Sequence, residues 1–273
     1  MALPWAARCP GTTTITVRKG GTKFDPHGRT ARILAVLFAL LVWEGAALLI
    51  GNDLLLVTPV RVVGRLFSLV REAVFWQTLG HTFARIVGGF LLALGLAAVL
   101  AALAARWPLL ETLLRPFVAV IQSVPVASFI VIALLWLSAA RLSTFIAFLM
   151  VFPILYTNLL QGIRAADPEL LEMAAVFRVS PMGRVRRIYL PALRSYLLAG
   201  CRVALGLCWK AGVAAEVIGV SRHTVGGMLY ESKVYLEIAD LFAWTAVIVL
   251  VSAGFEKLFL LALRRGLDLW EDR

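Results

Sequence analysis

Apolar residues in this chain gather into long runs separated by polar intervals. Runs near 20 residues recur at about 32–51, 83–105, 117–138, 144–163, 195–217 and 241–262, the length that carries a helix across a hydrocarbon core about 30 Å thick. The short alternating segments of a transmembrane barrel are not visible. The pattern predicts an all-α fold: a polytopic membrane helical bundle of about six transmembrane helices over 32–265, with tails at 1–31 and 266–273. The first tail, rich in Thr, Gly and Pro, is expected to be disordered. The first apolar run begins too late for an ordinary signal sequence.

Two polar intervals hold more than loops. In 52–81, Thr58-Pro59 is a helix start, and Arg61, Arg65, Ser68 and Glu72 fall within about 60° of one another at helical spacing. This predicts an amphipathic helix that either lies on the outer interface or packs as a short helix against the bundle. In 164–194, Asp167-Pro168-Glu169 and then Ser180-Pro181 supply two further starts, and Pro191 marks a stop. The expected product is a pair of short helices with a bend near Arg178–Ser180. It leaves Glu172, Met173, Val176 and the cluster Arg184, Arg186, Arg187 to meet a partner or lipid headgroups. An ordinary basic loop is the plainer alternative, but it needs no capped helices.

Within the runs, polar residues are few. Gln122, Ser123 and Ser128 flank Pro125, which removes a backbone hydrogen bond and can kink the third span; such a helix lines a pathway or merely packs. Lys210 and Glu216 lie in or near the end of the fifth span, with Arg202 deeper. Separated by about 240° on one helix, Lys210 and Glu216 cannot pair with each other. They face a pathway, or else Lys210 snorkels outward and Glu216 pairs structurally.

The 273 residues are 61% hydrophobic and 16% charged, against about 45–50% and about 25% in soluble domains. The net charge of +11 is explained by topology. With the N-terminus inside, 17 Lys and Arg fall on the inner side and six on the outer, the bias that places both termini in the cytoplasm. Nucleic acid is thereby excluded as a partner. Cys9, Cys201 and Cys208 match neither a metal spacing nor a disulfide framework. His27, His81 and His223 are scattered, without the clustering an intramembrane enzyme requires.

The run Glu172-Met173-Ala174, followed by Ile188, Leu190 and Pro191, resembles the EAA signature of permease subunits in bacterial ABC importers. The resemblance extends over about 55–265. It takes in Thr82-Phe83-Ala84-Arg85 with Gly89-Phe90, Val124-Pro125-Val126-Ala127 with Leu135-Trp136, and Phe152-Pro153 with Asn158 and Gly162. It also takes in Gly200-Cys201-Arg202 and Trp209 with Glu216. Together these are similar to the subgroup of taurine, alkanesulfonate and nitrate permeases. Two departures stand out: Leu137-Ser138-Ala139-Ala140 replaces a Phe-Gly-x-Gly stretch, and Arg178 occupies the family's glycine position, so a bend that usually exploits positive φ has to be made otherwise.

The resemblance implies a type I importer in the bacterial inner membrane. A second permease copy, two cytoplasmic ATPase subunits and an extracytoplasmic substrate-binding protein would complete it. This chain would bind no cofactor and catalyse nothing; it lacks a phosphate-binding loop, so ATP and Mg belong to the ATPase. Glu172, Met173, Ala174, Ala175, Arg178, Ile188, Leu190 and Pro191 would couple to that subunit. In this scheme Glu172 makes a charged contact, while Ala174 and Ala175 permit close approach. Gln122, Ser123, Pro125, Ser128, Lys210 and Glu216 are the candidate path residues, and the cargo would be a small anion of the sulfonate, taurine or nitrate kind. The rival is a secondary transporter or channel with no ATPase; it would be expected to show coupling carboxylates in several spans, whereas Glu44 and Glu216 are the clearest here.

Overall fold

Ile86, Phe90, Ala93, Ala97, Ala101 and Ala104 recur at three- and four-residue spacing and are all buried. That spacing gives one helix a single narrow inward face. The computed structural model describes residues 29–271, and every element in that range is helical. In chain order the elements are α1 (Arg29–Ile50), α2 (Pro59–Val70), α3 (Ala73–Arg106), α4 (Pro108–Ser123), α5 (Val126–Ala133) and α6 (Ala139–Arg164). There follow α7 (Pro168–Val176), α8 (Pro181–Arg184), a π-helical turn (Val185–Tyr189), α9 (Leu190–Ile218), α10 (Val225–Val234) and α11 (Ile238–Glu271).

Helix α6 lies between α3 and α9. The α3 face given above meets Val151, Leu155 and Tyr156 of α6 and Cys201, Leu205 and Cys208 of α9. Lipid offers no hydrophobic drive for helix association, so close packing must hold such a bundle together. Gly89 shows how close: a Cβ there would sit 2.5 Å from the Thr144 carbonyl oxygen and 2.9 Å from Ala147 Cβ.

Side-chain ties fix which ends lie together. Arg164 at the end of α6 pairs with Glu111 at the start of α4, and Arg194 near the start of α9 pairs with Asp268 near the end of α11. At the opposite end, the Ser221 hydroxyl donates to the Ala139 carbonyl at 2.6 Å, joining the chain just beyond α9 to the start of α6. The start of α4, the ends of α3, α6 and α11, and the polar connector therefore share one end of the bundle.

Among the described residues five helices are long and apolar enough to cross a membrane, and the bent pair α4–α5 makes a sixth crossing if counted as one. Three details correct the expected spans. The third is broken rather than kinked: α4 and α5 meet at 102°, because Pro125 offers no amide and biases Val124 to extended backbone, φ −83° and ψ 133°. The second begins ten residues early, at Ala73; its first turns carry Thr78 and Thr82, whose hydroxyls are buried and break the apolar run. The sixth continues through Glu271, so most of the expected C-terminal tail is helix. The tail at 1–31, with Cys9 and His27, lies outside the described residues apart from its last three positions, which open α1.

Helix α2 packs on the bundle by one side. Val62 and Leu69 are buried with Phe75 and Trp244 in a second cluster at the end away from the connector. Phe75 and Trp244 stack there at 5.2 Å. The polar face of α2 is tied as well, since Arg65 makes a two-pronged contact with Asp240 of α11, with Nη2 at 2.8 Å from Oδ2. Hydrogen bonding to Asp240 raises the Arg65 guanidinium above its usual range.

Candidate functional site

The connector is built as its start signals require. The Asp167 carboxylate accepts the Glu169 amide at 2.9 Å and the Ser180 hydroxyl accepts the Gly183 amide at 3.2 Å, so each proline-led helix begins on a side-chain cap. Between them the backbone reverses at Arg178, φ 52°. The Val179 amide reaches the Ala174 carbonyl at 2.9 Å and the Arg178 amide reaches Ala175 at 3.1 Å. This is the paired closure that normally ends on glycine in the left-handed region. The expectation of a differently made bend is thus overturned. The geometry is the glycine geometry, adopted by an arginine at a cost of about 1–2 kcal/mol.

The second expected helix is not separate. Beyond Ser180 the chain runs from Pro181 through the π-helical turn into α9 without a break, as one stretch of 38 residues to Ile218. Pro191 therefore ends nothing. It sits just after the wide turn, whose closing bond runs from the Leu190 amide back five residues to the Val185 carbonyl. A wider turn accommodates a residue that lacks an amide.

Of the expected coupling residues, Glu172, Met173, Ala175 and Arg178 are exposed, Ile188 and Leu190 are half-buried, and Pro191 is exposed. Ala174 departs from its expected role. At 6% exposure it faces the bundle, so its small size lets α7 lie close to its own chain. Val176 at 79% and Phe177 at 74% exposure were not singled out together, yet they extend the outward face begun by Met173. The connector is also braced from behind, because Arg186 Nε donates to the Trp270 carbonyl at 2.6 Å.

Glu216 lies in the interior of the chain. Its side chain has 0% exposure. Oε2 accepts the Thr82 hydroxyl at 2.9 Å and the Gly226 amide at 3.1 Å. Thr82 Oγ1 in turn accepts the Val225 amide at 2.8 Å. Arg85 and Ser143 face the same carboxyl, and Arg85 Nη1 is buried without a hydrogen-bond partner. The fit is tight, as a Cβ on Gly226 would lie 2.3 Å from Glu216 Cβ. The loop above is strained: Val220, φ 47°, closes α9 with Ser221 N bonded to Glu216 O at 3.0 Å, and a β-branched residue rarely adopts that region. Thr78, Thr82 and Arg85, polar at helical spacing in an apolar context, were the readable signal for this cage.

The remaining path candidates are open. Gln122, Ser123, Pro125 and Ser128 are exposed around the α4–α5 elbow, and Lys210 is exposed on α9. A cavity of about 460 Å³ between α9 and α11 also gathers Arg202, Glu256, Lys257 and Arg264. Three cations and one acid gathered in one cavity of an apolar bundle demand water, a partner or an anion. Cys201 and Cys208 are buried and free. Among the described residues no group of three or more His, Cys, Asp or Glu side chains is placed to hold a metal.

Residues 93–263 match the family described as binding-protein-dependent transport system inner membrane component. Among similar proteins, one from Bacillus subtilis (strain 168) named as an aliphatic sulfonates transport permease, SsuC, is 28% identical over 270 residues, covering 98% of this chain and 96% of its own. The riboflavin transport system permease RibX of Chloroflexus aurantiacus is 27% identical over 87% of this chain and 89% of its own. The taurine transport system permease TauC of Escherichia coli is 25% identical over 87% of each.

Proposed function

Because this chain belongs to the family of binding-protein-dependent transport system inner membrane components, we propose that it is one of two copies lining the path of an ATP-driven importer, moved through α7 by a separate ATPase. The observation that carries this reading is the outward face of the connector. Met173, Val176 and Phe177 are exposed beside Glu172, on a capped helix too polar in its surroundings to enter lipid. Apolar side chains with an acid among them suit a protein groove. The continuous run from Pro181 into α9 would pass a push on α7 to the bundle as a rigid body.

On this reading the connector end faces the cytoplasm of a bacterial inner membrane, with both termini on that side. ATP and Mg are held by the ATPase subunits. A substrate-binding protein delivers cargo to the opposite end. A small anion is the cargo that the cluster of Arg202, Lys257 and Arg264 around Glu256 favours, and two of the relatives are named for sulfonates and for taurine. Binding measurements on the cognate substrate-binding protein with sulfonates, nitrate and riboflavin separate the cargoes. Tight binding of an uncharged solute alone would remove the anion assignment.

The coupling role is tested with Glu172→Lys in membranes that also hold the cognate ATPase. Capture of the ATPase and uptake should both fall while the amount of inserted permease stays constant. Unchanged capture together with unchanged uptake would dispose of the assignment, and uptake with no ATPase present would favour a secondary transporter.

A further inference from the structure

A second cavity lies away from the bundle centre. It is a groove of about 640 Å³ at the connector end, between the last turns of α3 and α6, the start of α7 and the π-helical turn. One wall is Ala98, Ala102 and Ala105, at helical spacing on α3; the other is formed by Ile163, Leu171 and Leu193. The alanines make the space: larger side chains at those positions would close it. The volume falls in the range of about 300–1,000 Å³ usual for ligand sites.

Two features indicate what fills it. Along α3 the alanine wall rises about 12 Å from Arg106 at 1.5 Å per residue, and it runs on into exposed Leu91, Leu92, Leu96 and Val99, a face only lipid or another apolar surface can cover. At the mouth stand Arg106 and Arg164. Arg164 is held by Glu111, while Arg106 is exposed and no acid lines the groove to balance it. Next to Arg106, exposed Trp107 is the residue type that settles at headgroup level. An apolar slot continuous with a lipid face, ending in an arginine at headgroup depth, has the chemistry of a phospholipid with a negatively charged head.

We propose that this groove holds one anionic phospholipid of the leaflet at the connector end, an acyl chain against Ala98 and Ala102 and the phosphate on Arg106. The leaflet's identity as cytoplasmic rests on the orientation proposed above; the site itself does not. Since Pro168 and Leu171 form part of the same groove, the bound lipid backs α7 and sets how firmly that helix is seated.

The test uses the full-length permease without ATPase, exchanged into nanodiscs of chain-matched phosphatidylglycerol and phosphatidylcholine and then examined by native mass spectrometry after a detergent wash. Wild type should retain one phosphatidylglycerol per chain and lose phosphatidylcholine. Arg106→Gln should lower phosphatidylglycerol retention about fivefold, the effect of one basic residue at an anionic surface, and Ala102→Phe should remove it. If Ala102→Phe does not reach the membrane, Ala98→Leu fills the same wall. Equal retention of both lipids by wild type overturns the proposal, as does unchanged retention in the filled variant. So does efficient crosslinking between cysteines placed at position 98 of two copies, which would put a second chain in the groove. Because no ATPase is present, these outcomes are independent of the coupling assignment.

Discussion

The Thr82 hydroxyl joins three helices: it donates to Glu216 Oε2 at 2.9 Å and accepts the Val225 amide at 2.8 Å. With the Gly226 amide on the same carboxyl oxygen at 3.1 Å, the first turn of α10 hangs on a carboxyl of α9 and a hydroxyl of α3. Removing Glu216 strands two buried donors, each costing about 1–3 kcal/mol when left unpaired. Glu216→Ala should therefore destabilise the purified permease by about 3 kcal/mol, and Glu216→Gln, which keeps a carbonyl acceptor, by clearly less. Thermal unfolding in a single detergent measures both, and equal losses would show that the hydrogen bonds contribute little.

The same cage shows what the sequence could and could not reveal. Apolar run length located the crossings, and the pairs Asp167-Pro168 and Ser180-Pro181 located both connector helix starts. Glu216 was visible as an expensive residue, but its burial depends on Thr82, which is 134 positions away in the chain, and no local pattern encodes that meeting. Pro125 announced a disturbance without its 102° size, because the angle is set by how α5 packs Ile130 and Ala133 against α6 and α9. Pro191 misled for the opposite reason, since a π-helical turn absorbs the missing amide and leaves no trace in composition.

Arg178 offers a test of backbone strain. At φ 52° it carries a left-handed penalty of about 1–2 kcal/mol that glycine escapes, less the larger chain entropy glycine loses on folding. Arg178→Gly should raise stability by about 0.5–1 kcal/mol, or about 2 °C in Tm for a chain of this size. Arg178→Val should lower it, since a β-branched residue fits that region worst. If Arg178→Gly instead weakens ATPase capture while stability rises, the guanidinium has a contact of its own on the partner.

Gly89 and Gly95 occupy the same helix and differ in surroundings. A Cβ on Gly89 would press on the Thr144 carbonyl at 2.5 Å, whereas nothing lies within 4 Å of one on Gly95. Gly89→Ala must spread α3 from α6, a cost of about 1–3 kcal/mol as overpacking goes, while Gly95→Ala should be neutral or mildly stabilising through helix propensity. Paired unfolding curves decide the point, and matching curves would mean that α3 and α6 pack more loosely than these distances require.

Ala174 and Ala175 separate packing within the chain from contact with a partner. Ala174 is 6% exposed and faces the bundle, and its carbonyl anchors the bend through Val179; Ala175 is exposed beside Met173 and Val176. Ala174→Leu should push α7 outward and lower the Tm of the isolated permease, by an overpacking cost of about 1–3 kcal/mol. Ala175→Leu has open space in the isolated chain, so its Tm should not move. If α7 seats in a groove of the ATPase, the added bulk of Ala175→Leu should nonetheless reduce ATPase capture. Measuring Tm without the ATPase and capture with it gives each variant two readouts. The reverse assignment, Ala174 outward and Ala175 inward, would exchange the two results, and an Ala175→Leu variant normal in both would place the ATPase on another face of the connector.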